Sequence, residues 1–179
     1  MPGPLFEFLV QDHARLAELL EHITLDSGEI DISAYNWFRA GLLKHIGMEE
    51  KILLPALERA RRIPAGAVAR LRRGFDAFAA LLASTPSAAI VRTLRAVLTD
   101  HDRLEGGPGG LYEAGEQLDE ETRAVLLARL RSAPDLPVAP LREGAQTIDA
   151  ARRALARAGY DVDGDGLLRT ETAPPVRAR

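Results

Sequence analysis

The chain contains no cysteine, which removes disulfides, iron–sulfur clusters and thiolate zinc sites from consideration. Any metal would have to be held by His, carboxylates, Tyr or backbone oxygen, a donor set that suits iron, manganese or zinc. A basic excess is missing too. The 23 Lys and Arg stand against 26 Asp and Glu, for a formal net charge of −3 and a pI near 5.8, which argues against general nucleic-acid binding. Aromatic residues are only 5% of the chain, too few around Arg59, Arg61, Arg62, Arg70, Arg72 and Arg73 to stack bases. That arginine run reads as a solvated bundle end. No apolar run is long enough to span a bilayer. The opening MPGPLFEFLVQDH lacks the basic start and cleavage pattern of a signal peptide, so a cytoplasmic location is expected.

What is present is helical. With 179 residues, 46% hydrophobic and 27% charged, the chain has material for one globular domain plus an extension. Its organising stretch is Phe38 to Ala56. Phe38, Leu42, His45, Glu49, Ile52 and Ala56 recur at alternating spacings of four and three, one stripe of an amphipathic helix. Two of those six positions are polar. His45 and Glu49 lie one turn apart on the face that should meet the core, where an unsatisfied polar group is costly.

The first helix is predicted over about Leu5 to Leu25, with the stripe Phe6, Leu9, His13, Leu16, Leu20 and Ile23. His22 falls on the opposite face, paired with Asp26 at the surface. The second helix is predicted from about Ala34, capped by Ser33 or Asp31, to near Arg59. Pro55 should kink it or loosen one hydrogen bond. The third, about Ala67 to Ala83, has a wholly apolar stripe: Val68, Leu71, Phe75, Phe78 and Leu82. The fourth runs to about Glu105 with Ile90, Leu94, Val97, His101 and then Leu104 or Glu105 inward. The run Gly106 to Gly110 interrupts the helix. Asp119 caps a further helix of about Glu120 to Ser132. Ala133 to Pro140 holds three prolines and reads as a connector. A short helix of about Thr147 to Ala158 ends on Gly159, followed by a frayed tail.

Short connections suggest an all-α, up-down-up-down four-helix bundle over residues 1–132, with additional C-terminal helices and an appended segment at 133–179. At ~1.5 Å rise per residue, counting from each turn places His13, His45, Glu49, His101 and Glu105 in one layer. Leu71 and Phe75 are their neighbours on the third helix. A single core histidine is usually satisfied by an ordinary hydrogen bond. For five such residues in one layer, a divalent ion satisfies all of them together, whereas a half-satisfied buried network destabilises.

Asp12-His13 in the first helix, the segment KHIGMEEKILLPAL, and DHDRLE followed by GGPGGLYEA resemble a bacterial hemerythrin-like domain. This is the HHE cation-binding four-helix bundle, and the resemblance covers about residues 4–132. It implies a non-haem iron pair that binds dioxygen or nitric oxide or serves redox sensing. It also implies ligand positions at His13, His45, the bridging candidate Glu49, His101 and Glu105. The chain departs from the family where the third helix usually supplies histidines: Leu71 and Phe75 stand there, and Asp76 is off the core stripe. One ion held by His13, His45, Glu49 and Glu105, with His101 adjacent, is the reduced arrangement this implies. Tyr112 could approach from the glycine-rich turn, or simply pack.

The functional expectation is a metal-binding protein, with iron (one or two ions) or else manganese or zinc, that binds or senses a small ligand. The alternative is a degenerate bundle without metal, acting as a structural or interaction module. An oxidase or peroxidase ranks below both, because no separate general acid or nucleophile is apparent. No nucleic-acid or membrane partner is expected. Asp161 to Gly166 has a calcium-loop pattern, but the twelfth position is Thr172, with Glu171 one place early, and a polar turn is the simpler reading.

Overall fold

The first helix, α1 (Pro4–Glu21), begins on the proline that suits a first turn. Its preceding residue, Gly3, offers no side-chain cap. The Glu116 carboxylate takes that role, accepting from the Leu5 and Phe6 amides at 2.9 Å each. Asp31 caps α2 (Ile32–Met48) through the Ser33 and Ala34 amides. In this computed structural model residues 3–163 and 167–168 are described. Among them the chain is all-helical, with no strand and only two isolated bridges, Thr24 to Ile30 and Ser84 to Arg142.

Pro55 has its effect upstream. Between α2 and α3 (Leu54–Arg59) the backbone widens into a π-helical turn, Glu49–Leu53, in which the Leu54 amide reaches back to the Glu49 carbonyl. A proline has no N–H to donate and its ring crowds the carbonyl four residues back, so the helix takes up one extra residue instead. That extra residue rotates the downstream positions about the helix axis. Ile52 of the predicted stripe is half-buried, and Leu53 takes the fully buried position. Such single-turn widenings are frequent at functional sites, and this one starts on Glu49.

The remaining helices are α4 (Ala65–Leu82), α5 (Ala88–Gly106), α6 (Leu111–Glu116), α7 (Glu120–Arg131) and α8 (Ala145–Ala158). Ser87 caps α5 and Asp119 caps α7. Gly159, at φ +97°, closes α8 in the left-handed region that glycine adopts readily. The predicted α4 stripe is buried throughout. Helix α1 packs on α2, α5 and α6, while α4 packs on α5 and most extensively on α8.

The connector after α7 is tied down. Arg39, nearly fully buried, donates from Nε to the Leu82 carbonyl at 2.8 Å and from a terminal nitrogen to the Ala139 carbonyl at 2.8 Å. Arg142 and the end of α4 exchange backbone bonds through Ala83 and Thr85. A buried guanidinium is tolerable only when its donors are used, and here the used donors fix the connector to the helices. The residues of the acidic turn at 164–166, together with 169–179, lie outside the described residues, so the calcium-loop reading and the tail reading are not addressed.

Candidate metal centre

Four buried side chains from four helical elements meet at one point. His13 comes from α1, His45 from α2, Glu49 from the first residue of the π turn and Glu105 from the last turn of α5. One potential ligand atom from each lies within 4.8 Å of all the others. The Nε2 atoms of His13 and His45 are 2.7 Å apart. His13 Nε2 is 3.3 Å from Glu105 Oε2, and His45 Nε2 is 3.2 Å from Glu49 Oε1.

The outer nitrogens of both rings are held by carboxylates. His13 Nδ1 is 2.9 Å from Asp102 Oδ1, and His45 Nδ1 is 2.8 Å from Asp12 Oδ2. A carboxylate accepts, so each Nδ1 is the donor and each Nε2 turns inward with its lone pair free. The pairing crosses between helices. Asp12 stands beside His13 in sequence but serves His45, and Asp102 stands beside His101 but serves His13.

Two lone pairs facing each other at 2.7 Å repel unless a cation lies between or beside them. Without a metal, protons fill that role. Burial would lower the His45 pKa, but the Glu49 charge, the bonds to Asp12 and Glu49 and the Glu105 charge outweigh it and raise it to about 10. His13 is also raised, its burial outweighed mainly by the bond to Glu105. Glu105 is pulled far below the usual carboxylate range, because bonds to His101 and His13 overcome the effect of burial. A metal cation would replace the protons as the positive charge. Glu49 Oε2, fully buried, has no hydrogen-bond partner among the described residues, and an orphaned carboxylate oxygen is what an absent ligand contact leaves behind. The donor set fits a divalent ion.

His101 is not part of this quartet. Its Nδ1 is 3.1 Å from Glu105 Oε1, and its ring lies between Phe78 (centroids 4.9 Å apart) and Phe75 (5.7 Å). Its far edge rests on α4 at Gly74, where a Cβ would collide with Nε2. Leu71 and Phe75 are buried and supply no donor, and Asp76 is exposed. His22 is exposed and bonds the Glu18 carbonyl rather than Asp26.

Asp12 and Asp102 were not assigned from sequence, and Tyr112, for which approach to the site and simple packing were both open, makes the most contacts of the three. The Tyr112 hydroxyl is 2.7 Å from Glu49 Oε1, 2.8 Å from His13 Nε2 and 3.4 Å from both His45 Nε2 and Glu105 Oε2. Burial and the two glutamate charges raise its pKa well above the usual value, so without a metal the phenol keeps its proton and donates it to Glu49. The sequence carried one signal for this, an aromatic residue just past the glycine-rich run that follows Glu105.

Helices that gather two imidazoles and two carboxylates around one buried point make this a helical domain with a ligand cluster able to hold a cation. The chain matches the hemerythrin HHE cation binding domain over residues 5–106, more than half its length, and it belongs to that family. The match stops one residue past Glu105, so α6 and Tyr112 lie beyond it. Comparison with curated proteins and with solved structures gave no match.

Proposed function

We propose that this chain is a non-haem metal protein that holds one ion through His13, His45, Glu49 and Glu105 and binds or senses a small ligand such as dioxygen or nitric oxide. The observation that carries this reading is the pair of inward Nε2 atoms 2.7 Å apart, each ring fixed at Nδ1 by its own aspartate. Aspartates placed this way set the tautomer and orientation of metal-binding histidines. Two neutral imidazoles and two carboxylates balance a divalent ion, and iron suits that mixed set, with manganese or zinc as the substitutes. When bound, such an ion supplies reversible coordination of a diatomic molecule. The chain's own residues supply the rest: Asp12 and Asp102 orient the rings, His101 holds Glu105 in place, and Phe75, Phe78 and Tyr112 keep water out.

An up-down-up-down bundle formed by α1, α2 with α3, α4 and α5 is the arrangement this reading implies, with residues 1–132 as the metal-holding unit and 133–179 appended to it in the cytoplasm. The choice of a single ion is supported by Leu71 and Phe75 of α4, which are buried and offer no donor atom. His13 and Asp102 also line a groove of about 360 Å³ between α1 and α5.

The test is to reconstitute the protein anaerobically with ferrous iron and titrate it with nitric oxide. The wild type should develop visible absorption, and His45→Ala, shown to be folded by circular dichroism, should not. The same buried Leu71 and Phe75 also favour a second reading, a bundle that has lost its metal and serves as an interaction module. That reading expects no bound metal and near-normal stability for His45→Leu.

A further inference from the structure

We infer that Tyr112 is a fifth donor to the ion held by His13, His45, Glu49 and Glu105, its phenolate oxygen coordinating iron in the ferric state. The inference rests on the proposed metal site and adds a ligand from α6, outside the span that matches the family.

Position is the first ground. The Tyr112 oxygen is within 3.4 Å of a donor atom of every member of the quartet. A residue that only supports one ligand would lie against one or two of them. In the metal-free protein the hydroxyl donates to Glu49 and can accept from a protonated histidine; an oxygen bound to the ion that the four share would meet all of them at once.

Rigidity is the second. Tyr112 is fully buried. Phe6 meets its ring edge-on at a centroid separation of 6.1 Å, and the His13 ring lies at 5.5 Å. Its helix is clamped at the far end, where Glu116 holds the first amides of α1 and also pairs with Arg123. Gly115 lets Leu5 pack against α6, since a Cβ there would fall 2.8 Å from a Leu5 methyl. At the near end Gly110 passes so close to the Leu104, Glu105 and Gly107 carbonyls that no Cβ fits. The oxygen therefore has no alternative site to occupy when an ion enters.

Charge is the third. The quartet carries two negative charges, which a divalent ion neutralises. A phenolate makes three, which matches ferric iron. A bound cation favours the deprotonated form of a coordinating group. Coordination breaks the phenol O–H bond, forms an oxygen–iron bond and releases one proton to solvent, and no electron moves.

The experiment loads the full-length protein with ferric iron from a ferric citrate donor and removes excess. Iron is then counted per chain, and the visible and resonance Raman spectra are recorded. The wild type should show a phenolate-to-iron absorption band with tyrosine ring modes that shift when ring-deuterated tyrosine is incorporated. Tyr112→Phe should retain iron and lose both the band and the modes. The labelling arm does not depend on Tyr112→Phe folding: Tyr35 bonds the Ser84 carbonyl, away from the centre. Tyr160→Phe, which alters the half-buried ring near His101, should keep both the band and the modes, whereas their loss there would overturn the assignment to Tyr112. Bound iron in the wild type without isotope-sensitive ring modes would overturn this inference alone, as would an unchanged band in folded Tyr112→Phe. No bound iron at all would overturn the metal reading together with it.

Discussion

Gly74 gives the most discriminating test of how the centre is packed. It sits in the middle of α4, where glycine is normally a liability, and replacing it with alanine should gain up to ~1 kcal/mol of helix propensity. The structure opposes that gain. A Cβ at 74 would overlap His101 Nε2 and fall 2.5 Å from its Cε1. Moving the imidazole aside would cost it the bond to Glu105 and its contacts with Phe75 and Phe78. Overpacking of this kind costs ~1–3 kcal/mol, so Gly74→Ala should range from neutral to ~2 kcal/mol less stable. Gly66, in the first turn of the same helix, has nothing within 4 Å of a built Cβ. Gly66→Ala carries a similar propensity gain and no clash, although its position in the first turn discounts the gain somewhat. The two variants should therefore differ by roughly the clash itself, ~1–3 kcal/mol, in urea unfolding of the metal-free protein. Gly74→Ala should also lose metal affinity, because the displaced His101 no longer holds Glu105. If Gly74→Ala is as stable as Gly66→Ala and binds metal normally, the packing of His101 onto α4 is wrong.

Asp12→Asn and Asp102→Asn should each weaken metal binding about 10- to 100-fold while leaving the helical spectrum intact, as measured by chelator competition. Glu116→Ala removes two charge-assisted bonds to the start of α1 and should cost about 1–2 kcal/mol, read from the shift in denaturant midpoint. The metal-free protein should lose stability with rising pH. The folded His45 pKa is raised from 6.5 to about 10, so its contribution is complete below pH 6.5 and disappears as the pH rises through about 10. Thermal unfolding at about pH 6 and about pH 9.5, either side of most of that window, checks the sign. Metal affinity should run the other way over the same range, since ligands must shed protons to bind.

Much of the centre could be read from single-helix periodicity, because each of His13, His45, Glu49, His101 and Glu105 sits on an apolar stripe and all five are buried. Three features lay beyond that reading. The stripe assumed a constant ~3.6-residue turn, so the π turn at Glu49 shifted burial from Ile52 to Leu53. The roles of Asp12 and Asp102 depend on which helix stands next to which, and periodicity within one helix carries no such information. Tyr112 lies on a six-residue helix, too short to show a period at all, and is placed by Glu116 and the close-packed Gly110 and Gly115 rather than by a stripe. His101 illustrates the opposite limit. It shares the layer with the quartet but is turned to Gly74 and the Phe75 and Phe78 rings, a distinction of side-chain direction that residue type does not record.

Everything proposed for the centre depends on one ion sitting among His13, His45, Glu49 and Glu105. Elemental analysis of the untagged protein, reconstituted anaerobically with ferrous iron and freed of excess, decides whether it does. One iron per chain is expected, absent from His45→Ala. Two irons per chain would contradict the reading of Leu71 and Phe75, and no iron would contradict the metal centre altogether.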